Sequence, residues 1–97
     1  MEIIKNTDGA VMTVSVVGRL DTITAPELSE SISDLAGIEK LILDLEKLEY
    51  VSSAGLRVIL SAQKAMNSQG SLVIKNVCED VMEVFEMTGF SEILTIE

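Results

Sequence analysis

From Met12 to Val16 the chain alternates, with apolar Met12, Val14 and Val16 separated by polar Thr13 and Ser15. A period of two residues is that of a strand with one face buried, here extending over Val11 to Val17. Asp8-Gly9 just before it is a two-residue hairpin signal, so a short strand around Ile3 and Ile4 should fold back on the longer one. The period then lengthens. In TAPELSESISDLAG the apolar positions Leu28, Ile32 and Leu35 recur at helical spacing. Thr24 and Glu27 read as a Thr-x-x-Glu capping box, Pro26 sits in the first turn, and Gly37 supplies the stop. A first helix running to Gly37 is predicted.

KLILDL is a nearly unbroken aliphatic run, as expected of a central strand covered on both faces. A second helix should open at Ser52-Ser53, straight after that strand, and end near Asn67. Its apolar positions Leu56, Ile59, Leu60 and Ala62 are too many for a narrow stripe, so much of it should be buried. SLVIK predicts another strand, parallel to the preceding one through a right-handed crossover. EDVMEVFEMTG predicts a third helix closed by Gly89, and EILTIE a last strand. Val81, Val84 and Phe85 form that helix's expected core face; Met82, Met87 and Phe90 read either as further packing or as an adaptable partner surface. The expected fold class is therefore α/β: a small mixed sheet with packed helices, in the order β-β-α-β-α-β-α-β, as a single domain over residues 1–97.

Charge narrows the function classes. Seven basic and sixteen acidic residues give a net charge of −9, a sign repelled by nucleic-acid phosphates and by anionic membrane surfaces. No apolar run approaches the roughly 18 residues of a membrane helix, and the N-terminal residues lack the basic and apolar regions of a signal peptide, so no direct membrane insertion and a cytoplasmic location are expected. Cys78 is the only cysteine, which excludes an internal disulfide; followed by Glu79 and Asp80, it reads as a small packed residue. There is no histidine, so neither Ser-His catalysis nor a zinc site is available. No phosphate-binding loop motif occurs. No catalytic residue, metal or cofactor is expected.

The stretch EYVSSAGLRVIL holds the candidate chemistry. Ser52 and Ser53 lie beyond the carboxyl end of a predicted strand, where open α/β sheets bind ligands, and at a helix start, whose free N–H groups favour anions. The first and third helices carry Glu27 and Glu30, and Glu79 and Asp80, in their opening turns; Ser53, Ala54, Gly55 and Leu56 bring no acid, and Arg57 follows. Two readings of these residues stand. Either the serines simply cap the helix while Gly55 permits close packing, or the positive helix end awaits an anion.

LEYVSSAGLRVIL resembles the signature of STAS domains, the family of anti-sigma factor antagonists and sulphate-transporter tails. GRLDTITAPEL is similar to the family's Gly-x-Leu-Asp segment, and FEMTGFSEILTIE resembles its closing helix, glycine and strand, so the likeness spans the chain in order. The resemblance implies a partner switch. The unphosphorylated antagonist binds an anti-sigma factor that is a serine kinase, and so releases a sigma factor. Phosphorylation at the second helix start ends that binding, and a serine phosphatase resets it. The phosphoacceptor falls on Ser53, with Ser52 as the alternative, and the family's neighbouring acid on Asp21. The partner-binding surface it implies comprises Asp21, Ser52, Ser53, Ala54, Gly55, Leu56 and Arg57. Ser52 stands where the family often has Asp, and Ala54 where it often has Ser or Thr. An alternative implication is an accessory subunit of a membrane transporter that is never phosphorylated.

Overall fold

The computed structural model describes residues 1–97. Its strands are β1 (Glu2–Asp8), β2 (Val11–Leu20), β3 (Lys40–Asp44), β4 (Leu48–Val51), β5 (Ser71–Lys75) and β6 (Thr95–Ile96). The helices are α1 (Ala25–Ser31), α2 (Ser53–Asn67), α3 (Glu79–Thr88) and the single turn α4 (Phe90–Ile93). The expected order of strands and helices holds, with β4 and α4 as short additions. The sheet runs β1-β2-β3-β5-β6; β1 is antiparallel to β2, and the other neighbours are parallel.

Register explains why one face is buried. Met12, Leu41 and Leu72 align across β2, β3 and β5, as do Val14, Leu43 and Ile74, so the apolar positions of three strands point the same way. The helices cover that face with Leu28 from α1, Ile59 and Met66 from α2, and Val81 and Phe85 from α3, all within one cluster of 23 buried residues. The opposite face carries Lys40, Ile42 and Asp44, all half-buried. KLILDL is thus covered on one face rather than two, because every helix packs against the same side. Its aliphatic run is continuous only because Ile42 faces outward.

Other local expectations are corrected. The hairpin loop is Gly9-Ala10, one residue later than expected, since Asp8 already pairs with Val11 and the positive φ (61°) falls on Gly9. Helix α1 stops at Ser31 instead of Gly37. Ser33 turns its hydroxyl onto the Glu30 carbonyl at 2.8 Å, and the Asp34 carboxylate accepts from the Ala36 N–H at 3.2 Å. Such side chains compete with the helical ladder. Ile32, Leu35 and Ile38 nevertheless stay buried, so the apolar spacing outlasts the helix. The Gln69 amide holds this segment by donating to the Leu35 and Ile38 carbonyls at 2.6 and 2.7 Å. Gly89 closes α3 as expected, at φ 82°. EILTIE yields only the two-residue β6, its front half being taken into α4.

Strand β4 matters most for the site. β2 is long enough to serve two neighbours: its first half pairs with β3, and its end pairs with β4 through Gly18↔Leu48, Arg19↔Tyr50 and Leu20↔Val51, with a bulge between Gly18 and Arg19. The serines therefore follow β4 and not the central strand.

Candidate functional site

Two chain reversals meet where β2 and β4 end. Leu20 pairs with Val51, and the Ser52 N–H donates to the Leu20 carbonyl at 2.8 Å. Asp21 leaves β2 beside the point where Ser52 leaves β4. These residues lie 31 positions apart in sequence; the last rung of the β2–β4 ladder, Leu20↔Val51, brings them together.

The two serines have different roles. Ser52 is the N-cap of α2, in extended conformation (φ −97°, ψ 175°), and its half-buried hydroxyl accepts a long 3.4 Å hydrogen bond from the Gly55 N–H. Ser53 is the first helical residue, exposed, with no hydrogen bond from its hydroxyl to the rest of the chain. The N–H groups of Ser53 and Ala54 have no intrahelical acceptor by position. No acid lies in the first turn of α2, and the 15-residue helix contains none at all, carrying only Arg57 and Lys64 as charges. Exposed Arg57 is one turn beyond Ser53.

Gly55 is set by packing. A methyl group added there would come within 2.6 Å of Leu20 Cγ and 3.0 Å of Val51 Cγ2, so α2 lies directly on the β2–β4 pair only because this residue has no side chain. Leu56 is buried beneath the same turn and Ala54 is half-buried. Of the seven residues expected at a partner surface, Gly55 and Leu56 hold the helix start in place. Asp21, Ser52, Ser53, Ala54 and Arg57 reach the surface to differing degrees.

Asp21 organises its own turn. One carboxylate oxygen accepts from the N–H groups of Ile23 (3.0 Å) and Thr24 (3.1 Å). Thr24 does not close the expected capping box: its backbone is already helical (φ −93°, ψ −19°), and its hydroxyl accepts from the Asp21 N–H at 2.8 Å and donates to the Arg19 carbonyl at 2.7 Å. The carboxyl of Asp21 is held below its ordinary value, chiefly by the Thr24 N–H, with the Ile23 N–H and the Arg19 charge assisting and partial desolvation opposing. Asp21 is therefore an ionised residue on a braced turn. The Arg19 guanidinium lies 4.3 Å from the centre of the Tyr50 ring, its in-register neighbour, and Ile23 stands 85% exposed. Neither Ile23 nor Tyr50 could be singled out from sequence, since their apolar character reads equally well as burial.

The site is not a cleft. The three surface concavities, of about 180 to 490 Å³, lie elsewhere, and none is lined by Ser52, Ser53 or Asp21. No cluster of three or more side chains suited to a metal ion occurs. Cys78 caps α3, half-buried, with its thiol on the Leu48 carbonyl at 3.3 Å. No helix is long and apolar enough to cross a membrane. An exposed hydroxyl on an open surface suits docking to a macromolecule better than enclosure of a small ligand.

Such a surface on a one-sided mixed sheet defines a small α/β module built for contact. The STAS domain family model matches residues 2–97, and the chain belongs to that family. Its relatives include the anti-sigma-B factor antagonist of Listeria monocytogenes, 32% identical over 97% of this chain and 85% of that protein. BtrV of Bordetella bronchiseptica, also named for anti-sigma factor antagonism, is 44% identical over 62% of this chain and 53% of its own length. Among solved structures, an anti-sigma factor antagonist from Mycobacterium paratuberculosis shares the fold with a TM-score of 0.88 at 21% identity, covering 98% of this chain and 83% of that one. The antagonist SpoIIAA matches in its unphosphorylated form (TM-score 0.78, 16% identity, 99% and 87% coverage). The phosphorylated form, from Bacillus, matches almost equally (0.77, 16%, 99% and 91%).

Proposed function

We propose that this chain, acting as one domain over residues 1–97 in the cytoplasm, is an anti-sigma factor antagonist. In its unphosphorylated form it binds an anti-sigma factor kinase and frees a sigma factor; phosphorylation at Ser53 ends that binding. The phosphoryl group passes from ATP bound on the kinase to Ser53 Oγ, which loses its proton as ADP leaves, and a serine phosphatase hydrolyses the ester to reset the switch. The names of the relatives support the antagonist role. The observation that carries the switch is the state of the two hydroxyls: Ser53 is exposed and uncommitted at an acid-free helix start, whereas Ser52 is engaged as the cap.

The physics of the switch follows from position. A phosphate adds about −1.5 to −2 charges and three acceptor oxygens. On Ser53 these meet unpaired N–H groups, the positive helix end and Arg57, so the fold tolerates them. Against a partner packed over this surface the same group must be desolvated without a matched acceptor site. A penalty of ~2.8 kcal/mol already weakens binding about a hundredfold.

Mixing purified protein with its cognate anti-sigma kinase and ATP, then mapping phosphate by mass spectrometry, tests the proposal. Phosphate on Ser53 and a complex that forms only without it are expected. Phosphate on Ser52 would move the acceptor. No complex with an anti-sigma factor, together with co-purification with a membrane transporter, would replace this function with the accessory-subunit role.

A further inference from the structure

We propose that the helix-free face of the sheet is a self-association surface, on which a second copy of this chain packs face to face with the two β3 strands running in opposite directions. The helices all cover the other side, and β3 is the middle of the five strands along the sheet. Through its centre runs an outward row of Thr13, Ile42, Val73 and Thr95, set side by side by the registers of β2, β3, β5 and β6. Val73 is only 5% exposed yet stands outside the cluster of 23 core residues, so the apolar packing of this face is separate from the core under the helices.

The charges on that face name the occupant. Lys40 precedes Ile42 by two residues and Asp44 follows it by two, so all three share the outward face, and all are half-buried. Neither charge has an ionic partner in the chain, whose one ion pair joins Lys75 to Glu97. Four residues of strand hold Lys40 and Asp44 about 13 Å apart, too far to pair with each other. The Glu46 N–H and the Asn76 amide both donate to the same Asp44 oxygen at 3.1 Å, which leaves the second oxygen free. A strand reading cation, apolar, anion is its own complement when a copy is laid over it in reverse. Ile42 then meets Ile42, and Lys40 of each copy meets Asp44 of the other, the reciprocal contact that a two-fold axis requires. Laid over in the same direction, Lys40 would meet Lys40, so the charges select the reversed arrangement. β1 and β2 bring seven paired residues each to the sheet and β3 and β5 five each. At about 3.3 Å per residue and 4.8 Å per strand, the face covers roughly 400 Å² per copy, the weak end of specific association.

Sedimentation equilibrium of the full chain tests this, in about 0.15 M salt to screen the net charge of −9 on each copy. A dimer with a Kd of about 10–100 µM is expected. Lys40→Glu and Asp44→Lys each put like charges into both contacts and should each weaken the dimer about tenfold or more. Mixed in equal amounts, the two variants have opposite charges in both contacts and should pair as tightly as the unaltered chain. Damage to the fold by either substitution would not be repaired by mixing. An unaltered chain that stays monomeric up to about 1 mM overturns the proposal, since no specific interface is that weak in this size range. So does a Lys40→Glu chain that dimerises as the unaltered one does, or a mixture no tighter than either variant alone. Should Asp44→Lys, which gives up two hydrogen bonds, be unfolded by circular dichroism, Lys40→Glu alone decides. Each of these results leaves the antagonist function standing, because α2 and Ser53 at its start lie on the other side of the sheet.

Discussion

Gly55 is where packing, fold and site are most tightly joined, and Gly55→Ala tests that junction. The added carbon would sit 2.6 Å from Leu20 Cγ, 2.9 Å from Leu20 Cδ2 and 3.0 Å from Val51 Cγ2. Leu20 is fully buried and Val51 only 3% exposed, so neither can swing aside. Overpacking of this kind costs about 1–3 kcal/mol. Replacing glycine within a helix returns about 0.5–1 kcal/mol. A net loss centred on about 1 kcal/mol and reaching about 2.5 kcal/mol is expected, which for a domain of this size lowers the thermal midpoint by about 4–8 °C per kcal/mol. Urea unfolding followed by circular dichroism measures it. Leu20→Ala in the same chain removes both 2.6 and 2.9 Å conflicts, so the double variant should be less than additive by about 1 kcal/mol. A Gly55→Ala protein as stable as the parent, with additive behaviour of the pair, would refute the claim that α2 lies on β2 and β4 through this residue.

Other outcomes follow from the same geometry. Ser52→Ala should cost about 0.5–1 kcal/mol through loss of the cap, the low end because the bond is long, whereas Ser53→Ala should leave urea stability unchanged. Asp21 has a depressed folded-state pKa, so its charge stabilises the fold above the unfolded value of 3.8 and that contribution fades as pH falls through the lower folded value. The parent should therefore be more stable than Asp21→Asn at pH 7, and urea midpoints of the two should converge as pH falls from 3.8 through the lower folded value. Phe85→Ala, at a fully buried position joining α3 to the sheet, should cost about 3–5 kcal/mol in urea unfolding. Gly70→Ala should be worse tolerated than Gly55→Ala, since its added carbon would meet the Glu39 carbonyl, which is backbone, and soluble yield with thermal midpoint reports this.

Much of this molecule was legible in its sequence, and the residues show where legibility ended. Alternation from Met12 to Val16 and helical spacing in α2 and α3 are set by burial, which acts through residue type and is visible without coordinates. The early end of α1 was hidden because its apolar spacing continues through Ile32, Leu35 and Ile38 while serine and aspartate side chains break the backbone ladder beneath. Thr24 and Glu27 matched a capping box, yet Asp21 took the Thr24 N–H and the Glu27 N–H went to the Thr24 carbonyl, a competition settled by the turn that β2 enters. At the site, the acid-free start of α2 could be read directly. The side-by-side placement of Asp21 and Ser52 could not, because it depends on β4, a four-residue strand whose pairing is non-local. Nor could the unequal standing of the two serines, which rests on a single dihedral change at the helix boundary.

The most direct measurement compares the affinity of the Ser53-phosphorylated and unmodified chains for the same anti-sigma factor, with backbone amide spectra recorded for both. A loss of about a hundredfold or more, with spectral changes confined to the first turn of α2 and the Asp21 turn, is the predicted result. Undiminished binding by the phosphorylated chain, or loss of binding only through unfolding, would contradict the claim that charge at this helix start acts on the partner and not on the fold.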